Sequence, residues 1–185
     1  MNAIVLVDRE WGIGRGGVQI PSFKEDRKQF RLLTGSPKAA ERGYRRIVVM
    51  GRKTFEGDLG GKPLKDRVNV VLTREKQYCL LHPGVYSISD PMSVVDIANA
   101  YECTEDMVWC IGGESVYQLY FELEMIDKVF VTMIDARYDC DRHFLRLDKE
   151  KNGFRFSFGL GENEWRASED TGILYRMCCY ERKKW

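Results

Sequence analysis

The chain has 185 residues and a formal net charge of +1, with 44% of the residues apolar and 31% charged. A chain of this length forms about one domain and buries roughly 70% of its unfolded surface. The near-neutral balance lacks the basic excess of nucleic-acid binders, and no apolar stretch is long enough to span a membrane. The first residues, M-N-A-I-V-L-V, have no basic region typical of a signal peptide. We therefore expect a cytoplasmic, monomeric protein in which residues 1–185 form a single domain.

The six cysteines and two histidines do not form a metal-binding pattern, because no C-x-x-C pair occurs among them. Cys110, Cys178 and Cys179 lie within apolar runs, where a thiol behaves as a small apolar side chain. A disulfide framework is typical of shorter, secreted chains. The sequence therefore predicts buried structural cysteines and no metal site.

Short apolar runs alternate with helical stretches along the chain, which is typical of a parallel sheet with crossover helices. Strands are predicted at 3–7, 47–50, 68–72, 85–89, 107–111, 128–134, 154–158 and 174–181. Helices are predicted at 24–33, 52–57, 93–101 and 115–123. The glycine-rich segment 12–17 predicts a flexible loop, and the basic segment 34–46 predicts a solvated excursion. The expected fold is α/β, a single domain with a mostly parallel sheet of about eight strands, an antiparallel C-terminal strand and about four flanking helices.

Three of the predicted strands end in residues that suit a phosphate group. The motif I-G-G at 111–113 leads into a helix, G-R-K-T at 51–54 places two cations after a strand, and L-T-R at 72–74 adds a hydroxyl and a third cation. Each turn alone is also compatible with an ordinary strand connection. Because parallel sheets bind ligands at the carboxyl ends of their strands, the three together favour a nucleotide.

The fourth candidate is Asp26, which lies in a predicted polar helix after the glycine-rich segment. A lone helical aspartate is ordinarily a surface charge. The residues around it change this interpretation, because together with the motifs above they resemble the dihydrofolate reductase family, in its bacterial type. The likeness is carried, in order, by Gly12-Ile13-Gly14, Pro21, Asp26, Phe30, Val49–Glu56, Pro63-Leu64, Arg67, Asn69–Arg74, Ile111-Gly112-Gly113, Tyr117, Thr132 and Ile134-Asp135-Ala136.

The resemblance implies that the chain reduces 7,8-dihydrofolate to 5,6,7,8-tetrahydrofolate. Asp26 would be the catalytic carboxylate that supports protonation of the pterin N5, and Thr132 would hydrogen-bond it from behind. It also implies binding of antifolate inhibitors. The substrate-binding residues that the family pattern implies are Ile4, Val5, Ile20, Arg27, Phe30, Leu64, Arg67 and Ile111, with Arg67 on the α-carboxylate of the glutamate tail.

The same resemblance implies NADPH as the cofactor. Gly112 and Gly113 would form a cis peptide beside the pyrophosphate, and Tyr117 would flank the nicotinamide ribose. Residues 14–20 would form a mobile lid over the nicotinamide. The implied cofactor-binding residues are Leu6, Ile13, Gly14, Gly51, Arg52, Lys53, Thr54, Leu72, Thr73, Arg74, Ile111, Gly112, Gly113, Glu114, Ser115, Val116 and Tyr117.

The chain departs from the family pattern at several positions. Ser22 replaces the usual tryptophan, Arg27 replaces an apolar residue, Gly57 replaces a serine or threonine, Arg142 replaces a threonine, and segment 34–46 is longer than the common loop. Two other functions therefore stay open. One is a riboflavin-pathway pyrimidine reductase on the same scaffold, and the other is a catalytically idle homologue that binds a nucleotide.

Overall fold

The eight predicted strands and the four predicted helices all form, and four short strands and one short helix occur in addition in the part of the chain that the structure describes. The computed structural model describes residues 1–35, 45–159 and 164–183. Its strands are β1 (Asn2–Val7), β2 (Gly12–Arg15), β3 (Val18–Gln19), β4 (Arg46–Gly51), β5 (Arg67–Leu72), β6 (Val85–Ile88), β7 (Val108–Cys110), β8 (Lys128–Ile134), β9 (Arg142–His143), β10 (Phe154–Gly159), β11 (Arg166–Ala167) and β12 (Leu174–Arg182). The helices are α1 (Lys24–Thr34), α2 (Arg52–Gly57), α3 (Tyr78–Leu81), α4 (Ser93–Ala100) and α5 (Glu114–Glu122), and 3-10 turns occur at Glu105–Met107 and Glu150–Asn152.

One large sheet organises the molecule, in the order β10-β12-β8-β1-β7-β4-β5-β6, with β11 paired to β12. The strands from β8 to β6 pair in parallel, whereas β12 runs antiparallel to both β8 and β10. This is the α/β architecture expected from the sequence, including the antiparallel C-terminal strand. The four predicted helices are confirmed, and the four-residue helix α3 is an additional one.

The central strands are buried on both faces, because helices and loops cover each side of the sheet. Val5 and Val7 of β1 belong to the larger apolar cluster on one face, and Ile4 packs with Val48 and Trp109 on the other. All six residues of β1 are buried, as expected for a strand inside a parallel sheet. Cys110, Cys178 and Cys179 are buried and free, which confirms their structural interpretation.

The glycine-rich segment 12–17 is not the simple loop that the sequence predicts. Its residues form β2 and the turn to β3, and β2 also pairs with β9, so that a small three-stranded sheet stands beside the large one. The turn falls on Gly16 and Gly17, with φ values of 59° and 85°. Glycine adopts this left-handed backbone without the steric cost of a side chain, and therefore these two glycines permit the tight turn of the hairpin.

The predicted excursion at 34–46 falls mostly on residues 36–44, which lie outside the described residues. At its ends, Arg46 Nη1 donates to the carbonyls of Leu32, Leu33 and Gly35, and so covers the C-terminus of α1. None of the helices in the described part of the chain has the length and apolar character that a membrane crossing requires.

Candidate active site

The carboxyl ends of the central parallel strands open onto one cleft of about 1510 Å3. This is the edge at which parallel sheets bind ligands. The structure brings nearly all of the site residues expected from the sequence to the walls of this cleft: Ile4, Val5, Leu6, Ile13, Gly14, Asp26, Arg27, Phe30, Gly51, Arg52, Lys53, Thr54, Leu64, Arg67, Leu72, Thr73, Arg74, Ile111, Gly112, Gly113, Glu114, Ser115, Val116 and Tyr117.

Two expected residues do not line the cleft. Ile20 follows the hairpin and is only 5% exposed, because its side chain packs with Leu6 and Tyr175 in a separate apolar cluster. The structure therefore does not place Ile20 among the residues that line the cleft. Thr132 lies on the central strand β8, buried behind the cleft wall, where it hydrogen-bonds Asp26.

Asp26 lies on the face of α1 that is turned toward the cleft, in a setting that favours its neutral form. Burial raises the pKa of this carboxyl to about 6, while the hydrogen bond from Thr132 and the charge of Arg27 lower it by smaller amounts. A carboxyl group with a pKa near neutrality can both hold and release a proton under ordinary conditions. Asp26 thus has the property that a general acid needs.

The wall beside Asp26 differs from the family pattern at Ser22 and Arg27. Phe23, the aromatic residue next to Ser22, is fully buried against Tyr175 and does not take the place of the missing tryptophan. The Arg27 guanidinium donates to the Ser22 carbonyl at 3.1 Å and pairs with Asp170 at 3.1 Å. Arg27 is therefore held at the rim of the cleft and its charge reaches Asp26 only as a minor influence.

The N-terminus of helix α1 is stabilised by residues 168–170, in the loop that contains Asp170. Its N-terminal flanking residue, Phe23, offers no side-chain cap. Instead, the Asp170 carboxylate accepts from the Lys24 N–H at 3.1 Å, and Glu25 accepts from Ser168 and from the Glu169 N–H. A carboxylate at a helix N-terminus satisfies free amides and favours the helix dipole. The loop after β11 therefore fixes the helix that carries Asp26.

The floor of the cleft is formed where β1 and β7 end. Gly112 and Gly113 are joined by a cis peptide bond, as the sequence predicts. Gly112 has a φ of 111°, and a Cβ atom there would meet the Tyr117 ring at 3.1 Å, so only glycine fits. The Tyr117 hydroxyl donates to the Ile4 carbonyl at 2.6 Å. That carbonyl keeps a second lone pair, which leaves it able to accept from a ligand.

One end of the cleft is rich in cations. Arg52 and Lys53 begin α2, and Arg74 follows β5 directly. Within the described residues, neither Lys53 nor Arg74 forms an ion pair. Arg52 pairs with Glu56 at 3.0 Å and lies 3.8 Å from Glu75. Cationic side chains that protrude into a cleft without a carboxylate partner are suited to a phosphate group.

The opposite end of the cleft also carries a cation, Arg67, that forms no ion pair within the described residues, although its Nη1 donates to the Lys65 carbonyl at 3.2 Å. The Arg67 guanidinium lies over the Phe30 ring, 5.7 Å from its centroid. Its buried Nε atom has no hydrogen-bond acceptor among the described residues. Burial lowers the pKa of Arg67, the charge of Asp66 opposes this change, and the charges of Arg31 and Arg46 add to it. A half-buried guanidinium with an unsatisfied Nε donor is suited to an anion, and a carboxylate matches its fork of donors.

The β2–β3 hairpin stands over the cleft between these two ends, and it is anchored at its tip and along β9. At the tip, the Gly16 N–H donates to the Asp141 carboxylate at 3.1 Å. Glu114, which the resemblance assigns to cofactor binding and which lines the cleft, directs its side chain to β9, where it accepts from the His143 N–H at 2.9 Å and pairs with Arg142. The unusual Arg142 is thereby explained as the partner of Glu114.

Several cleft residues are not among the site residues that the sequence analysis assigns. Arg31, Glu56, Asp58, Leu59, Lys65, Glu75, Leu119 and Arg142 also line the walls. The i,i+4 spacing of Arg31 from Arg27 was an available signal on α1. The other positions come from different elements, and only the folded chain brings them together.

These features define a class of protein: an α/β enzyme that binds an anionic nucleotide at the end of a parallel sheet, beside a carboxylic acid of raised pKa. The family model described as dihydrofolate reductase matches residues 1–182. The chain is 32% identical to the dihydrofolate reductase of Rattus norvegicus, over 99% of this chain and 97% of that protein. It is 31% identical to that of Sus scrofa, over 98% and 97% of the two chains, and 30% identical to the viral dihydrofolate reductase of Saimiriine herpesvirus 2, over 98% and 84%. The chain belongs to the dihydrofolate reductase family.

Proposed function

We propose that this chain catalyses the NADPH-dependent reduction of 7,8-dihydrofolate to 5,6,7,8-tetrahydrofolate. The observation that carries the proposal is Asp26, a carboxyl group partly buried in the cleft wall with a pKa raised to about 6. Reduction at the pterin C6 requires a proton at the neighbouring N5. Asp26 supports that protonation because burial keeps part of the carboxyl population neutral near physiological pH.

Asp26 has a second task, which is to orient the pterin ring. A carboxylate accepts two parallel N–H bonds, and an amino-pyrimidine edge presents two such donors. The carbonyls of Ile4 and Ile111 lie on the same walls and are suited to accept from the pterin amino group. Phe30 and Leu64, which pack together beneath these walls, supply the apolar surface for the ring.

The cationic end of the cleft fits NADPH, because Lys53 and Arg74 point into it without an ion-pair partner in the described part of the chain. Lys53, Arg52 and Arg74 would hold its 2′-phosphate, while the close approach of Gly113 to Thr54 leaves bare backbone for the pyrophosphate at the start of α5. A Cβ atom on Gly113 would lie 3.2 Å from Thr54 Oγ1. When bound, NADPH supplies the hydride.

The reaction requires that bulk water be kept out of the site, and the hairpin does this. Residues Gly14, Gly16 and Gly17 line the cleft and are free of bulky side chains. The Asp141 and Glu114 contacts hold the hairpin over the site. We assign to it the role of the lid, which keeps bulk water from the reacting carbon while the proton reaches N5 through Asp26.

At the other end, Arg67 would bind the α-carboxylate of the glutamate tail. The unsatisfied Nε atom and the stacking of the guanidinium on Phe30 support this assignment. All of these groups belong to one chain, which supports action as a monomer, and the same cleft is expected to bind antifolate inhibitors in competition with substrate.

The deciding experiment measures the oxidation of NADPH by the loss of its absorbance, with and without dihydrofolate. The proposal expects oxidation that depends on dihydrofolate and yields tetrahydrofolate in equal amount. Binding of NADPH without any turnover would identify a catalytically idle homologue. Turnover of a riboflavin-pathway pyrimidine in place of dihydrofolate would assign the site to that sister reaction.

A further inference from the structure

The cationic end of the cleft is less positive than its basic residues suggest. Arg52, Lys53 and Arg74 line it together with Glu56 and Glu75. Three cations and two carboxylates leave a net charge of +1 at this end. Arg52 is the cation most affected, because its Nη1 atom lies 3.0 Å from one Glu56 oxygen and 3.4 Å from the other.

Glu56 is held in this position by a buried group. The Tyr78 hydroxyl donates to Glu56 Oε1 at 3.0 Å. The Tyr78 ring is 1% exposed and packs against Phe55 and His82. Burial, followed by the Glu56 contact, raises the pKa of Tyr78 to about 12, so the hydroxyl stays protonated and continues to donate at neutral pH. Glu56 is therefore a fixed negative charge beside Arg52.

We propose that Glu56 is a specificity-determining residue that weakens the preference of this site for a 2′-phosphorylated nucleotide. This inference rests on the proposed function, in which Arg52 binds the 2′-phosphate. The guanidinium has five N–H donors, and its Nη2 atom has no partner within the described residues, so Nη2 can donate to a phosphate oxygen while Nη1 stays bound to Glu56. The phosphate dianion and the Glu56 carboxylate are then bound to neighbouring nitrogen atoms of one guanidinium and repel each other.

The repulsion between Glu56 and the phosphate is moderate because the Arg52–Glu56 pair is partly exposed to solvent. The Arg52 and Glu56 side chains are 43% and 39% exposed. For charges in such a setting, we expect Glu56 to weaken binding of the 2′-phosphate by a factor of about three to ten. Glu56→Gln removes the charge but retains an acceptor oxygen for the Tyr78 hydroxyl, so it isolates the electrostatic effect.

The experiment measures calorimetric binding of two fragments, 2′,5′-ADP and 5′-AMP, to the whole protein and to Glu56→Gln. We expect 2′,5′-ADP to bind about three to ten times more tightly to the variant, with the affinity for 5′-AMP unchanged. The difference between variant and wild type should vanish near 1 M NaCl, where the Debye length is about 3 Å. The matched control is Glu122→Gln on α5, an exposed glutamate that accepts from Gln118 outside the cleft and should alter neither affinity.

An equal or weaker affinity of Glu56→Gln for 2′,5′-ADP would overturn the proposal, as would a gain that persists at high salt. Failure of the underlying function looks different. If the wild-type protein bound 2′,5′-ADP and 5′-AMP equally, the preference for NADPH itself would be wrong, whatever the variant did.

Discussion

Thr132 provides a test of the assignment of Asp26 that leaves the carboxyl group itself in place. Thr132 is buried on β8, and its hydroxyl lowers the pKa of Asp26 against the larger opposing effect of burial. Thr132→Val removes this donor while keeping a β-branched side chain suited to a strand. The change should therefore destabilise only the ionised form of Asp26, and the pKa should rise.

The size of the rise follows from the strength of the lost bond. A hydrogen bond to a charged group contributes about 1.5–3 kcal/mol, and one pH unit corresponds to about 1.4 kcal/mol. Starting from the wild-type value of about 6, the pKa of Asp26 in Thr132→Val should lie about one to two pH units higher. Because the neutral acid supports protonation of N5, hydride transfer should fall as pH rises through this pKa, and the variant should stay active to higher pH.

The assay is single-turnover hydride transfer from NADPH to dihydrofolate, measured from about pH 5 to about pH 9. Thr132→Ser retains the hydroxyl and should titrate like the wild type. An unchanged midpoint in Thr132→Val, with normal binding of both ligands, would show that Asp26 is not the titrating group. A midpoint displaced toward acid would contradict the role given to the Thr132 hydroxyl.

Four further predictions concern single side chains. Asp26→Asn should lower turnover about 10²- to 10⁴-fold. Because the pKa of Asp26 is raised in the folded protein, its ionised form opposes folding above about pH 6 and not below about pH 4. The variant should therefore gain up to about 3 kcal/mol of unfolding free energy at pH 8 but little at pH 4, and equal gains at both pH values would refute this. Arg27→Leu should raise the pH midpoint of hydride transfer by less than about one pH unit, since Arg27 is a minor influence tied to Asp170, whereas the exposed control Lys28→Leu should not move it. Arg67→Leu should raise KM for dihydrofolate at least about tenfold with little change in kcat, and an unaltered KM would remove Arg67 from the tail site. Arg74→Ala should reduce the ratio of kcat/KM for NADPH to that for NADH by about tenfold at low salt and by less at high salt; an unchanged ratio would remove Arg74 from the 2′-phosphate site.

The sequence by itself determined most of the fold. Continuous apolar runs such as 3–7 and 47–50 are typical of strands buried on both faces, so they required a parallel sheet with helices on each side. The ordered motifs around Asp26, Arg52 and Gly112 then indicated the family and nearly all of the cleft. These features are local in the chain, which is why they can be read without coordinates.

Only the tertiary structure decided which residues far apart in the sequence come into contact. Nothing in the sequence indicates that Asp170 would cap α1 and hold Arg27, that Glu114 would bind β9, or that Tyr78 would fix Glu56 beside Arg52. The packing of Ile20 with Leu6 and Tyr175 was hidden for the same reason, because only the folded chain shows which apolar residues pack together. Charge and burial at a site are sums over all neighbours in space, and therefore the pKa of Asp26 and the net charge at the phosphate end became definite only in the folded chain.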